Sequence, residues 1–238
     1  MPSVQNGLLD YTLSCPKIHL ATEEDRAYNT DEWAMLFKAK TGRRGGIVQD
    51  DLIEAAKSYV RLLFGNNSGG HDVNHTMRVY RNAVHLAEKE QRGDLTVIKL
   101  AALLHDADDH KLFETKSNAN ARRFLSDNNV PAEMVEMIIG TINAVSFSQN
   151  RGRRPDTIEG MIVQDADRLD AMGAIGIART FAYGGEHGRS LEDSIQHFYN
   201  KLLLLKDEMN TETAKDIAEE RHAYLLGFVK KLEEEITS

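Results

Sequence analysis

Asp94-Leu95-Thr96-Val97-Ile98-Lys99-Leu100-Ala101-Ala102-Leu103-Leu104-His105-Asp106 is the stretch on which the fold turns. Asp94 is a residue type that caps helices, and Val97, Ile98, Leu100, Ala101 and Leu104 recur at helical spacing. The stretch predicts an apolar helix that ends in an imidazole next to a carboxylate. His75 and Asp167 repeat the theme, each a polar group on a helix-like stretch of apolar neighbours. Burying such a group without a partner costs several kcal/mol, and a shared divalent cation is a partner that satisfies four of them at once.

Outward from that helix the same period recurs, without a convincing alternating strand. Leu52, Ala55, Ala56, Tyr59, Val60 and Leu63 form a stripe ending at Gly65, and Val73, Met77, Tyr80, Val84 and Ala87 form the next. Ser117 opens a helix through Phe124 and Leu125, and Pro131 suits the first turn of one through Val135, Ile138, Ile139 and Ile142. A stretch from about Thr157 to Phe181 stops at Gly184-Gly185. Ser190 with Asp193 resembles a capping box before Ile195, Phe198, Leu202 and Leu205, and Thr211 precedes the last helix through Leu232. The expected architecture is all-α, about eight helices with no sheet and no internal repeat.

The 238 residues, 41% of them hydrophobic, suffice for a full core. Residues 1–45 read as an N-terminal extension. A short helix capped by Thr30-Asp31-Glu32 carries Trp33, Leu36 and Phe37 and breaks at Thr41-Gly42-Arg43-Arg44-Gly45-Gly46, where the main domain of residues 46–238 begins. A net charge of −8 argues against a surface that follows long nucleic acid, which needs a broad basic patch. The lone Cys15 excludes a disulfide framework and a cysteine-based zinc site. No apolar run approaches the ~20 residues of a membrane helix, and the N-terminus lacks signal-peptide regions, so the expected location is the cytoplasm with no membrane partner.

His75 and Arg78 are three apart in a helix, which places a cation-binding nitrogen beside a guanidinium able to hold phosphate. His105 and Asp106 point about 100° apart and bracket an ion over the helix end. Asp167 adds a carboxylate from another helix. Two imidazoles and two carboxylates suit Mn, Mg, Fe, Ni or Zn, with positions open for water. Asp165 is the alternative carboxylate to Asp167, and Asp165 and Asp170 also fit a solvated edge.

His75, His105-Asp106 and Asp167 resemble the H...HD...D signature of the HD-domain superfamily of metal-dependent phosphohydrolases, whose fold is all-helical. The surrounding words sharpen the likeness: Gly70-His71-Asp72-Val73-Asn74-His75-Thr76-Met77-Arg78-Val79, Leu103-Leu104-His105-Asp106-Ala107-Asp108-Asp109, and Ile162 through Gly176. They are similar to a bacterial subgroup of small stand-alone HD hydrolases, some of which cleave nucleoside triphosphates to the monophosphate and pyrophosphate. The resemblance runs from roughly Asp50 to the C-terminus and implies His75, His105, Asp106 and Asp167 as ligands of a divalent metal. The subgroup often carries His-Ser-Phe-Ser where this chain has Val145-Ser146-Phe147-Ser148, so one histidine is absent. That absence also counts against the di-iron oxygenase branch.

The implied activity is hydrolysis of a small phosphorylated metabolite, with a nucleotide favoured. The ion lowers the pKa of a bound water from ~15.7 toward ~7, and the resulting hydroxide attacks phosphorus. Asp106 serves the metal. Asp109, three residues on, falls where several HD hydrolases resemble one another in carrying a catalytic acid. Arg78, Lys111, Lys116 and Lys201 are the candidate phosphate contacts. The alternative is a catalytically weak nucleotide-binding or sensor protein of the same fold. A zinc peptidase fits poorly, because His71-Asp72-Val73-Asn74-His75 has the histidine spacing but lacks the glutamate base.

Overall fold

The computed structural model describes residues 49–65, 72–110, 112–146 and 150–238. The expected helix around Trp33, the boundary at residue 45, Cys15, Lys111 and Phe147-Ser148 lie outside the described residues. Nine α-helices and one 3-10 segment, with no strand, make up the described residues: α1 (Gln49–Phe64), α2 (Val73–Glu90), α3 (Leu95–Leu104), α4 (Ala119–Asp127), α5 (Ala132–Asn143), α6 (Ile158–Asp170), α7 (Gly173–Glu186), α8 (Leu191–Asn200), the 3-10 segment (Leu202–Glu208) and α9 (Glu212–Thr237). Among them no helix is long and apolar enough to cross a membrane.

α3 is the centre. Thr96, Val97, Ile98, Leu100, Ala101, Ala102, Leu103 and Leu104 are all buried, so the helix is enclosed all round, with α1, α2, α5 and α6 packed against it. Burying each Leu or Ile side chain contributes roughly 1.5–3 kcal/mol. Asp94 starts α3 by accepting from the backbone N–H of Thr96 and Val97 at 2.8 and 3.2 Å. With only Leu95 at its start exposed and Lys99 half-buried, α3 carries its C-terminal His105-Asp106 pair into the bundle rather than to its surface.

Most helix starts follow the same rule. Asp72, Thr157, Ser190 and Thr211 each accept a backbone N–H three residues on, at 2.7, 3.1, 3.0 and 3.4 Å. α4 departs from it. Ser117 and Asn118 both adopt positive φ (57° and 55°) and supply no side-chain cap. Asp108, from the turn after α3, accepts instead from Asn120 N (2.9 Å) and Ala121 N (3.0 Å).

Three expectations shift. The buried face of α2 is His75, Thr76, Val79, Ala83, Leu86 and Ala87, while Val73, Met77, Tyr80 and Val84 are half-buried. The buried stripe therefore runs through His75 itself. The stretch from Thr157 is two helices, because the chain turns at Ala171-Met172 and Gly173 takes φ +66° against Arg221, whose Cγ would lie 3.1 Å from an added Cβ. Gly184-Gly185 does not stop a helix. Both lie in α7, and Gly184 is buried where an added Cβ would meet Ser194 Oγ at 3.1 Å, so its small size serves helix packing.

Candidate metal centre

Three helix ends converge on one point. His75 comes from the first turn of α2, His105 and Asp106 from the end of α3, and Asp167 from the last turn of α6. His75 Nε2 lies 3.4 Å from His105 Nε2, 3.4 Å from Asp106 Oδ2 and 3.4 Å from Asp167 Oδ1. His105 Nε2 lies 3.4 Å from Asp106 Oδ2 and 4.0 Å from Asp167 Oδ1. One ligand atom each of His75, His105 and Asp167 falls within 4.8 Å of the others. Asp167 is the most open of the four, with a quarter of its side chain exposed.

The ring protons follow from the partners. His105 Nδ1 lies 2.9 Å from the Ala102 carbonyl oxygen, which only accepts, so Nδ1 carries the proton and Nε2 faces inward. His75 Nδ1 lies 2.7 Å from Asp170 Oδ2, and a carboxylate likewise only accepts. Arg179 Nη1 stands 3.2 Å from the same Nδ1 and 2.6 Å from Asp170 Oδ2, so its proton goes to the carboxylate. In the neutral rings two Nε2 lone pairs therefore face each other across 3.4 Å, beside two carboxylates.

The donor set fits a divalent cation: two imidazole nitrogens and carboxylate oxygens, of borderline hardness, aimed at one place. The electrostatics agree. Burial alone would pull the His75 imidazole down, yet hydrogen bonds to Asp106 and Asp170 and the Asp167 charge push it up to about 9, so the cluster favours positive charge. Against burial, hydrogen bonds from His75 and Arg78 hold Asp170 far below the usual carboxylate range.

The polar residues of α6 divide their work. Asp165, fully buried, accepts from Asn210 N, Asn210 Nδ2, Thr211 N and Thr211 Oγ1 at 2.8–3.1 Å, so its oxygens tie the start of α9. Gln164 donates to the Ala144 carbonyl at 2.7 Å. Arg168 donates to the Glu208 carbonyl and forms an ion pair with its carboxylate at 3.0 Å, outside hydrogen-bond geometry. Neither Asp165 nor Asp170 is a solvated edge.

Arg78 shares the His75 side of α2, and both its Nε (2.6 Å) and Nη2 (3.1 Å) go to Asp170. With Arg81, Arg179, Met77, Ile175 and Tyr183 it lines a cleft of about 440 Å³ between α2 and α7. Asp109 is half-buried in the turn after the pair, its N–H donating to the Asp106 carbonyl at 3.1 Å. Lys116 is exposed ahead of α4, and Lys201 marks the break between α8 and the 3-10 segment. Val145 is buried after α5. Asp170 and Arg179 escaped the sequence reading. For Asp170 a signal existed: it lies three residues after Asp167 and shares its helical side. For Arg179 the only sign is a charge interrupting an apolar run.

Residues 72–172 match the family described as HD domain, and they contain the whole cluster. The uncharacterised protein YpgQ of Bacillus subtilis is 42% identical over 192 residues, 77% of this chain and 93% of the relative. The crystal structure of that protein in complex with ADP superposes with a TM-score of 0.69 at 36% identity, covering 79% of this chain and 96% of that one. An HD-superfamily hydrolase from Bacillus thuringiensis gives 0.68 at 38% identity, covering 80% and 100%. The chain belongs to the HD-domain family and is an HD-type metal-dependent phosphohydrolase.

Proposed function

We propose that His75, His105, Asp106 and Asp167 hold one divalent cation and that the protein hydrolyses a small nucleotide there. The favoured reaction is release of pyrophosphate from a nucleoside triphosphate. The observation that carries this reading is the pair of Nε2 atoms 3.4 Å apart, both directed inward by acceptors on their Nδ1 sides, with two carboxylates beside them. When bound, the cation supplies polarisation of a phosphoryl oxygen and acidification of water. Mn, Mg, Fe, Ni and Zn all suit the donor set.

The chain's own residues do the rest. Asp167, the most open carboxylate, is the member of the cluster most accessible to a substrate. Asp109 acts as general acid or base from the turn that keeps it beside Asp106. Arg78 is the first phosphate contact, since its fixed guanidinium places positive charge next to the cluster; Lys111, Lys116 and Lys201 are the further ones. That the Bacillus subtilis relative was crystallised with ADP supports a nucleotide over other phosphorylated metabolites.

The test is a panel of nucleoside mono-, di- and triphosphates with Mn, Mg, Co and Ni, scored separately for pyrophosphate and orthophosphate. Pyrophosphate release from a triphosphate is the expected result. Orthophosphate alone would move the scissile bond, and no release from any nucleotide with any metal would overturn the proposal in favour of a nucleotide-binding protein.

A further inference from the structure

Asp170 closes α6, and only 2% of its side chain is exposed. A buried carboxylate costs several kcal/mol unless it is paired and hydrogen-bonded. It has three partners from two other helices: His75 and Arg78 from α2 and Arg179 from α7. The two arginines do not need it buried, because their side chains are 24% and 28% exposed and reach solvent along the α2–α7 cleft. The one partner that does is His75, itself only 2% exposed.

The two histidines of the cluster are oriented by different devices. His105 leans on the Ala102 carbonyl of its own helix, so its orientation comes with α3. His75 Nδ1 has a side chain as its acceptor, delivered from 95 residues away. The direction of His75 Nε2 thus depends on where one carboxylate sits. Two guanidiniums grip that carboxylate from either side: Arg78 through Nε to Oδ1 and Nη2 to Oδ2, and Arg179 through Nη1 to Oδ2. With both oxygens engaged, the carboxylate cannot rotate without breaking a charge-assisted bond.

We propose that Asp170 is a positioning residue: its bond to Nδ1 fixes the tautomer of His75 and aims Nε2 at the point shared with His105, Asp106 and Asp167, while Arg78 and Arg179 hold the carboxylate still. This rests on the cluster being a cation site. An outer partner of this kind fixes ring orientation, and its loss typically weakens metal binding 10- to 100-fold. Asp170 is therefore expected to act through cation affinity and ring geometry, without touching substrate.

The experiment uses the full chain and two readouts. Calorimetric titration with Mn should show D170N binding the ion about 10- to 100-fold more weakly than the wild type. In the Zn-loaded, histidine-labelled protein, the Nδ1–H of His75 should appear as a protected proton in proton–nitrogen correlation spectra and exchange rapidly in D170N. The Nδ1–H of His105 should stay unchanged in both, which a general loosening of the fold would not allow. Equal Mn affinity and a retained His75 signal in folded D170N would overturn the positioning role alone. A wild-type protein that binds no Mn or Zn would overturn the reading beneath it. Should D170N not fold, R179Q keeps the carboxylate and removes one grip. Weaker Mn binding with faster His75 exchange then supports the role, and no change in either overturns it.

Discussion

Asp165 and Asp167 sit two positions apart on α6 and face opposite fates. Asp167 turns an oxygen to within 3.4 Å of His75 Nε2, while both oxygens of Asp165 are taken by Asn210 and Thr211. Helical spacing alone leaves the two interchangeable, since each is a carboxylate on the same apolar helix, and only the family resemblance favours Asp167. What separates them is the 3-10 segment, which delivers Asn210 and Thr211 to the Asp165 side. Asp165→Ala should strip several buried donors of their acceptor and destabilise the fold by at least about 1–3 kcal/mol in urea unfolding, with Mn binding retained. If that variant instead keeps its stability and loses the metal, the two roles are reversed. His105→Ala should behave in the opposite sense. Equilibrium dialysis with Mn and a phosphate-release assay should show retention and turnover lost together, and full activity would defeat the ligand assignment.

At the scale of elements, helix periods and caps are legible because they depend on neighbours. Asp72, Asp94, Ser190 and Thr211 cap as their residue types suggest. The start of α4 falls within two residues of Ser117, but its capping group was not legible, because it is Asp108, twelve residues from Asn120. The break between α6 and α7 hid for a related reason: no proline marks it, and neither the positive φ of Gly173 nor the packing of Arg221 from α9 against it shows in the local pattern. Gly173→Ala should cost about 1–2 kcal/mol, measurable as a lowered urea midpoint. The start of α9 has a second outside partner, since Glu90 at the end of α2 accepts from Thr213 N (2.9 Å) and Thr213 Oγ1 (2.7 Å). Those bonds lower its carboxyl below the ordinary glutamate value. A lowered folded-state pKa contributes stability that is present above about 4.3, the unfolded value, and is lost as pH falls through the folded one. Glu90→Gln should flatten that acid limb of a stability-versus-pH curve, and a limb identical to the wild type would contradict the role.

For the whole molecule, the convergence of His75, His105, Asp106 and Asp167 was the most legible feature, because four polar groups in apolar surroundings must meet a common partner. Their supports were less so: Asp170 is marked only by its three-residue spacing from Asp167, and Arg179 acquires meaning only once α2, α6 and α7 lie side by side. The acidic chain carries −8 overall, and a divalent cation bound at the junction of α2, α3 and α6 would pin three helix ends together. At a hundred times its dissociation constant such an ion adds about 2.7 kcal/mol, a rise in Tm of roughly 5–10 °C for a domain of this size. Thermal scans with Mn should show that rise in the wild type, its reversal by a chelator, and none of it in His105→Ala. The most direct measurement is anomalous diffraction at the manganese edge from crystals grown with Mn. A peak bonded to His75 Nε2, His105 Nε2 and an oxygen of Asp167 is the predicted result. An empty position there in crystals of Mn-active enzyme, or manganese held by other side chains, would contradict it.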